Sequence, residues 1–368
     1  MEDAFGFADT FGPEKIVFIH RPSVRMKAVV VVDNTACGAA IGGVRMAPDV
    51  TAEECFRLAR AMTWKNAAAG LAHGGAKSVI SADPRMPPAQ KEQLMRAFAD
   101  AIKDITAYIP GPDMGTDEQC MGWVKDEIGR AVGLPSAIGG IPLDEIGATG
   151  FGLAVCVDAA REFVGLDLDG ARLAVQGFGA VGKHAARFLA KKGTVLVAAS
   201  DTSGTLFDPH GLDIEALIAI KDDGCPLRDY SKGQKLDADA ILDVACEIWI
   251  PAARPDVVRA DNAARLNTRL MPQGANIPCT PEAEQALHAR GVLIIPDFIA
   301  NAGGVICAAI EYLGGTQRAA FDYIAERIRA NTRQVLEESH RIGAAPRAAA
   351  LALAERRILA AATTRRWR

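Results

Sequence analysis

The sequence predicts an α/β protein of two domains around a cleft, and three observations lead there. Its 368 residues are roughly twice what one common domain uses. The second half carries a glycine-rich turn between an apolar strand and an amphipathic helix, followed by short apolar runs that alternate with helical segments, as in a doubly wound sheet. The first half holds a segment, TWKNAAAGLAHGGAKSVI at 63–80, with lysines near both ends of a mainly small and apolar run. Hydrophobic residues make up 49% and charged ones 23%, which suits a soluble globular protein and excludes a largely disordered chain.

Each element follows from local pattern. Within residues 15–33, IVFIH and MKAVVVV broken by RPSVR read as strand, turn, strand. Thr51 with Glu54 three residues on makes a capping box, and Leu58, Met62 and Lys65 follow at helical spacing, so Lys65 shares a helix face with apolar neighbours. A GlyGly turn at 74 and 75 leads into KSVI, a short buried strand. A helix covers 88–105, and Pro110, Gly111 and Pro112 impose a rigid turn just before Asp113. A helix over 149–164 precedes ARLAVQGFGAVGKHAARFLAKKGTVLVAASD, one βαβ unit whose parallel strands need cover on both faces. The runs AILDVACEIWI, LMPQGANIP and GVLIIPDFIANAGGV continue the alternation. Residues 317–363 are rich in Ala and Arg and read as helical, with no repeat or low-complexity linker anywhere.

Composition also excludes function classes. A net charge of −4 argues against bulk nucleic-acid affinity, and the basic RRWR at 365–368 reads as a solvated helix end. The acidic start, MEDAFGFADT, lacks the features of a signal peptide, and no 18-residue apolar run free of charge points to a membrane span. The expected location is the cytoplasm. Eight cysteines, at 37, 55, 120, 156, 225, 246, 279 and 307, form no CxxC pair and do not cluster with the histidines. They read as reduced, mostly buried thiols, with neither a disulfide framework nor a metal site.

Gly177, Gly179 and Gly182 form GxGxxG, with Ala180 and Val181 in the same turn. The glycines permit a tight turn and let backbone amides and a helix N-terminus approach a pyrophosphate. Asp201 closes the next strand, where a carboxylate can hydrogen-bond the adenine-ribose hydroxyls and repel a 2′-phosphate. NAD is therefore expected over NADP. The two lysines allow two readings. Either they snorkel to the surface, or one clamps a substrate carboxylate while the other exchanges protons. Lys77 follows GlyGlyAla, where backbone can come close to a ligand. Asp113, in PGPDMGTD, is either a structural turn-former or a proton-transfer group.

Over nearly the whole chain the sequence resembles the glutamate/leucine/phenylalanine/valine dehydrogenase family of amino-acid dehydrogenases. The resemblance rests on IGGVRMAP at 41–48, GGAKSVI, PGPDMGTDE around Asp113, ATGFG at 148–152, QGFGAVG, QGANIP at 273–278 and PDFIANAGGVI at 296–306. It implies an amino-acid dehydrogenase-like substrate domain at 1–138, completed by a C-terminal helix at 330–368, and a Rossmann NAD-binding domain at 139–329. It also implies reversible NAD-dependent oxidative deamination of an L-amino acid to its 2-oxo acid and ammonia. Lys65 matches the lysine that binds the substrate α-carboxylate. Lys77 matches the lysine that activates water for attack on an iminium, and Asp113 the aspartate that exchanges protons with the amino group. Asn276 matches an asparagine near nicotinamide and substrate, and Thr149 and Asn301 match positions that hold the nicotinamide end. Family members usually assemble through the substrate domain, which implies a homo-oligomer, a dimer or larger.

The resemblance bears on the side chain as well. Glutamate-specific members place a lysine just before the GlyGlyValArg-like motif and a serine three residues after the valine of NAGGV. Ile41 and Ala308 stand there in this chain. An unpaired carboxylate against isoleucine costs several kcal/mol, so the expected substrate is apolar, branched-chain or aromatic. Its pocket would be walled by Ile41, Gly42, Met62, Gly111, Val305 and Ala308, with plain core packing the other reading of Met62 and Val305. His73, before the GlyGly turn, departs from the common pattern and reads as a wall residue rather than a base. The alternatives are a dehydrogenase for a specialised or non-proteinogenic amino acid, a glutamate dehydrogenase of unusual pocket, and a non-catalytic NAD-binding regulator.

Overall fold

In the computed structural model, which describes residues 6–366, the first apolar alternation becomes a hairpin. β1 (Lys15–Arg21) pairs antiparallel with β2 (Met26–Asn34), and the turn between them closes on Arg25 with a left-handed φ of 51°. β3 (Ala40–Ala47), β4 (Gly75–Ser81) and β5 (Tyr108–Pro112) complete a five-stranded sheet in the order β1-β2-β4-β3-β5. β3 runs parallel to both β4 and β5. Residues 1–5 of the acidic start and 367–368 of the basic tail lie outside the described residues.

Two strands differ from what local pattern suggests. IGGVRMAP gives no strand signal, because paired glycines depress strand preference, yet it forms β3 in the interior of the sheet. Pro110, Gly111 and Pro112 read as a turn but belong to β5. β5 is an edge strand, where a proline's missing amide breaks no ladder bond.

α1 (Ala52–Ala68) starts as the capping box predicts, with the Glu54 amide donating to Thr51 Oγ1 at 3.1 Å. α2 (Pro88–Ala101) stops short of the expected 105, and α3 (Glu118–Ile128) is capped by Asp117 and closed by left-handed Gly129. Side chains alternate across a sheet. Val30, Val32 and Ile80 thus pack with Phe98 of α2 and Met121 of α3, while Val31 and Val79 pack with Cys55 and Ala59 of α1. Lys77, two residues before Val79, is put on the α1 face, the helix that carries Lys65.

A second sheet follows the βαβ pattern. It comprises β6 (Arg172–Gln176), β7 (Val195–Asp201), β8 (Gly204–Phe207), β9 (Gln234–Leu236), β10 (Ile248–Pro251), β11 (Leu270–Pro272) and β12 (Leu293–Ile295). The order is β12-β11-β10-β6-β7-β8-β9. The five strands from β12 to β7 are parallel, and β8 and β9 extend the sheet antiparallel. The helices are α4 (Ala148–Ala160), α5 (Ala180–Ala190), α6 (Ile214–Asp222), α7 (Pro281–Ala289) and the single turn α8 (Asp297–Ala300). Val197, Trp249, Met271 and Ile294 lie in the core under this sheet. Three more helices follow: α9 (Gly303–Tyr312), α10 (Gln317–Ile342) and α11 (Pro346–Ala362). The last two break at Gly343, whose φ is 64°.

The chain divides into two compact units. One holds residues up to Leu143, Val305–Ala320 and those from Leu351 on; the other holds Asp144–Gly304 and Phe321–Ala350. Against the expected segments of 1–138, 139–329 and 330–368, residues 305–320 group with the first unit and 330–350 with the second. No helix among the described residues is long and apolar enough to cross a membrane.

Candidate active site

In the first unit β3, β4 and β5 bring three charged side chains to one point. Lys77 Nζ lies 2.7 Å from Asp113 Oδ2, and Arg45 Nε donates to the same oxygen at 2.9 Å. Arg45 Nη1 also donates to Glu54 Oε1 at 2.5 Å. The glycine pair explains how they meet. A Cβ on Gly43 would stand 2.8 Å from Asp113 Cβ and 3.1 Å from Lys77 Nζ, so a side chain there would occupy the space of the ion pair. Burial alone would raise the Asp113 carboxyl, but the charges of Lys77 and Arg45 outweigh it and hold it at about 2. Asp113 is therefore a carboxylate at neutral pH, facing a lysine that is only 5% exposed. Lys65 is also buried, in the last turn of α1.

The other residues singled out by sequence fall around this cluster or on neighbouring elements. Ile41 pairs with Ile109, and Gly42 with Pro110, in the β3–β5 ladder, where Gly111 stands opposite Gly43. Ile41, Gly42 and Gly111 are buried, while Met62, on α1, is half-buried. Val305 and Ala308 belong to α9; Val305 is half-buried and Ala308 buried. His73 is buried, with Nδ1 3.0 Å from the Ala39 carbonyl and its ring edge-on to Tyr312. Burial lowers its pKa, so the ring is neutral at pH 7 and Nδ1 carries the proton.

Sequence reasoning passes over Arg45 and Glu54. Glu54 is visible only as a capping-box residue, and its carboxylate serves Arg45 instead. Arg45 lies inside IGGVRMAP, and only that motif marks it out.

In the second unit the glycine turn leaves β6 at Gly177, whose φ is 92° and whose added Cβ would lie 2.7 Å from Ala253 N. Gly179 caps α5, Ala180 and Val181 open its first turn, and a Cβ on Gly182 would meet the Gly177 carbonyl at 2.1 Å. Backbone amides at the start of α5 are thereby presented where β6 has β7 on one side and β10 on the other. That is the point of a doubly wound sheet at which nucleotides bind. Thr149 is half-buried in the first turn of α4.

Asp201 ends β7 as expected, but its oxygens are occupied. Oδ1 accepts from Ser203 N at 2.8 Å and Ser203 Oγ at 2.5 Å; Oδ2 accepts from Lys221 Nζ at 2.8 Å and Leu227 N at 2.9 Å. Burial raises this carboxyl too, and these bonds outweigh it and hold it at about 2.

Asn301, at the end of α8, donates from Nδ2 to Asn276 Oδ1 at 3.0 Å and to the Gly274 carbonyl at 3.2 Å, while Asn276 itself is exposed. Asn301 Oδ1 is buried and accepts no hydrogen bond within the protein. A buried amide oxygen left this way calls for a donor, and the carboxamide of a nicotinamide supplies one. The residues present therefore fit a nicotinamide dinucleotide.

Behind this amide pair is a ring of side chains that sequence reasoning misses. Arg347 Nε donates to Glu284 Oε2 at 2.7 Å and Arg347 Nη2 to Asp297 Oδ1 at 3.1 Å. Gln273 Nε2 donates to Glu284 Oε1 at 2.6 Å, and Gln273 Oε1 accepts from the Asp297 amide at 3.0 Å. Asp297 Oδ2 accepts from Ile277 N at 3.0 Å, which holds Ile277 at a left-handed φ of 49° beside Asn276. Gln273 and Asp297 lie in two matched segments, a signal that could have found them; Arg347 has none.

Known proteins identify the family of the chain. Residues 139–366 match the family described as Glutamate/Leucine/Phenylalanine/Valine dehydrogenase, and 13–130 match its dimerisation domain. The chain belongs to this dehydrogenase family. It is 39% identical over 323 residues to a glutamate dehydrogenase of Aeropyrum pernix, covering 82% of this chain and 77% of that protein. It is 38% identical over 302 residues to an NADP(+)-dependent glutamate dehydrogenase of Pyrobaculum calidifontis, covering 77% and 72%. Among solved structures it superposes on the hetero-hexameric glutamate dehydrogenase of Thermus thermophilus, Leu-bound form, with a TM-score of 0.86 and 30% identity, covering 95% and 89%. This dehydrogenase chain is thus a nicotinamide-dependent oxidoreductase of amino acids.

These relatives overturn the expectation of an apolar, leucine- or phenylalanine-type substrate drawn from Ile41 and Ala308, because they are glutamate dehydrogenases. The physical flaw lies in treating two positions as the only partners a side-chain carboxylate can have. Ordered water bridges polar groups at little cost, and backbone amides also donate hydrogen bonds to carboxylates.

Proposed function

We propose that this chain is a glutamate dehydrogenase, catalysing reversible NAD-dependent oxidative deamination of L-glutamate to 2-oxoglutarate and ammonia. The observation that carries the reading is the Lys77–Asp113–Arg45 cluster, with Lys77 buried and its two partners half-buried, in a chain 39% identical to a glutamate dehydrogenase. Lys65 neutralises the α-carboxylate. Both cations of the cluster sit on Asp113 Oδ2, which leaves Oδ1 to take a proton from the substrate ammonium. Lys77, once its ammonium has released its proton to solvent, is the amine that removes a proton from the water adding to the substrate iminium, and the carbinolamine collapses to the oxo acid and ammonia. Hydride acceptance from the α-carbon is the chemistry that a bound dinucleotide would supply. The glycine turn at 177–182 would take its pyrophosphate, and Thr149, Asn276 and Asn301 would take its nicotinamide end. NAD is the expected form because the Asp201 carboxylate opposes a 2′-phosphate. The dimerisation-domain match at 13–130 and the hexameric relative support assembly with further subunits.

The test is a spectrophotometric assay at alkaline pH with NAD and, separately, glutamate, leucine, valine, phenylalanine and tryptophan, using Lys77→Ala as the blank. Turnover of glutamate that vanishes in the variant is expected. Silence on glutamate with turnover of another amino acid overturns the substrate, and silence on all of them overturns the activity.

A further inference from the structure

We infer that Glu311 is a positioning residue that sets the width of the amino-acid side-chain pocket by tying two of its walls together. Its side chain is buried, and each contact it makes below is to a backbone amide. Oε1 accepts from Gly133 N at 2.7 Å and Leu134 N at 3.2 Å, and Oε2 from Ile141 N at 2.6 Å. A buried carboxylate held by amides, with only the more distant charge of Lys125 to help, is costly, and burial raises its pKa in spite of them. Such a group needs a reason to be where it is.

The reason lies at both ends of the tie. On its own helix, Glu311 sits one turn beyond Ala308 on α9, the helix that also carries Val305. At the far end, Gly133 follows Val132, whose amide donates to the Pro110 carbonyl at 2.8 Å. Val132 Cγ2 would stand 3.0 Å from a Cβ on Gly111. Glu311 thus connects the α9 wall, through two consecutive amides and Val132, to the β5 wall at Gly111. Its second oxygen, on Ile141, fixes the other end of the same loop. Moving the carboxylate moves Ala308 relative to Gly111, and that spacing decides how long a side chain fits. The inference rests on the reading that Gly111, Val305 and Ala308 line the pocket, and it goes further in naming what holds them apart.

Glu311→Gln keeps the length but replaces one accepting oxygen with a donor that must face an amide, releasing one end of the tie. Glu311→Asp keeps the charge and shortens the reach, and serves if the first variant folds poorly. The readout is the ratio of kcat/KM for the best amino acid of the panel to that for its homologues one methylene shorter and longer. Such a ratio does not depend on the fraction of protein that is folded. A shift of about tenfold in either variant, with the KM for NAD changed less than about twofold, is the expected result. Ala308→Val, which alters a wall directly, separates the two levels of the argument. If Ala308→Val moves the ratio and the Glu311 variants only lower total activity or Tm, Glu311 is merely structural and the inference is overturned. If Ala308→Val leaves the ratio unchanged, the pocket reading fails and the inference with it.

Discussion

Two aspartates in this molecule share a strand end, a depressed pKa of about 2 and an ionic partner, and differ in what remains of their bonding capacity. Asp113 receives Lys77 and Arg45 on one oxygen, Oδ2. Asp201 spends both oxygens, Oδ1 on Ser203 and Oδ2 on Lys221 and the Leu227 amide. A low pKa therefore does not by itself mark a reacting group; the lowering reports only that the charged form is well solvated by protein. Open valence is the better guide. A carboxylate with an oxygen outside its ion pairs can still take part in proton exchange, whereas a saturated one frames its loop and must give up a partner before it can bind a ribose.

The largest effect that can break this comparison is expected at the Asp113 cluster. Lys77→Ala or Asp113→Asn should lower kcat by about 10³-fold, with NAD binding, followed by fluorescence titration, unchanged. Comparable turnover in either variant would show that the unsaturated cluster is structural, like the saturated one. Next in size is the ring behind Asn276. Arg347→Met removes the cation shared by Glu284 and Asp297 and loosens the hold on Ile277. A displaced nicotinamide site should cost on the order of 10²-fold in kcat/KM and raise the primary deuterium isotope effect for an amino acid labelled at the α-carbon. An unchanged isotope effect would mean that the ring supports only stability.

Much of the frame is legible in the sequence because it is local. The capping box at Thr51, the βαβ unit and the glycine turn at Gly177 each depend on residues near one another in the chain. What is not legible is tertiary. Pro110 and Pro112 look like turn formers until the strand proves to be an edge, and Gly43 looks like a strand breaker until Lys77 and Asp113 prove to need its space, as Gly42 does until the Ala76 carbonyl proves to need its own. Lys65, Lys77 and Asp113 were visible through motif resemblance. Arg45, Glu54, Glu311 and Arg347 were not, because their roles are set by partners across the fold: Arg347 meets Glu284 and Asp297 from a helix far along the chain. The substrate inference from Ile41 and Ala308 failed for a related reason, since a missing side chain says nothing about water or backbone that can take its place.

A smaller effect tests the saturated aspartate. Asp201→Ser removes the carboxylate and leaves Lys221 without that partner beside the expected ribose site. The ratio of kcat/KM with NADP to that with NAD should rise by about tenfold. No change in the ratio would mean that Asp201 frames its loop without reading the cofactor.

The smallest expected effect sharpens the comparison at Asp113, through Arg45→Met. Wild-type Asp113 titrates at about 2, below the ordinary aspartate value of roughly 3.9, so its ion pairs contribute stability that is fully present above the unfolded value. That stability is lost as pH falls through the interval from about 4 to about 2. Removing Arg45 leaves Lys77 alone against the burial that pushes the carboxyl up, so the folded pKa should rise toward the unfolded value. The variant should then be less stable than wild type at pH 7, and the two urea midpoints should converge as pH is lowered through that window. Midpoints that stay parallel from pH 7 to pH 2 would show that Arg45 acts by packing, and that Lys77 alone keeps Asp113 ionised.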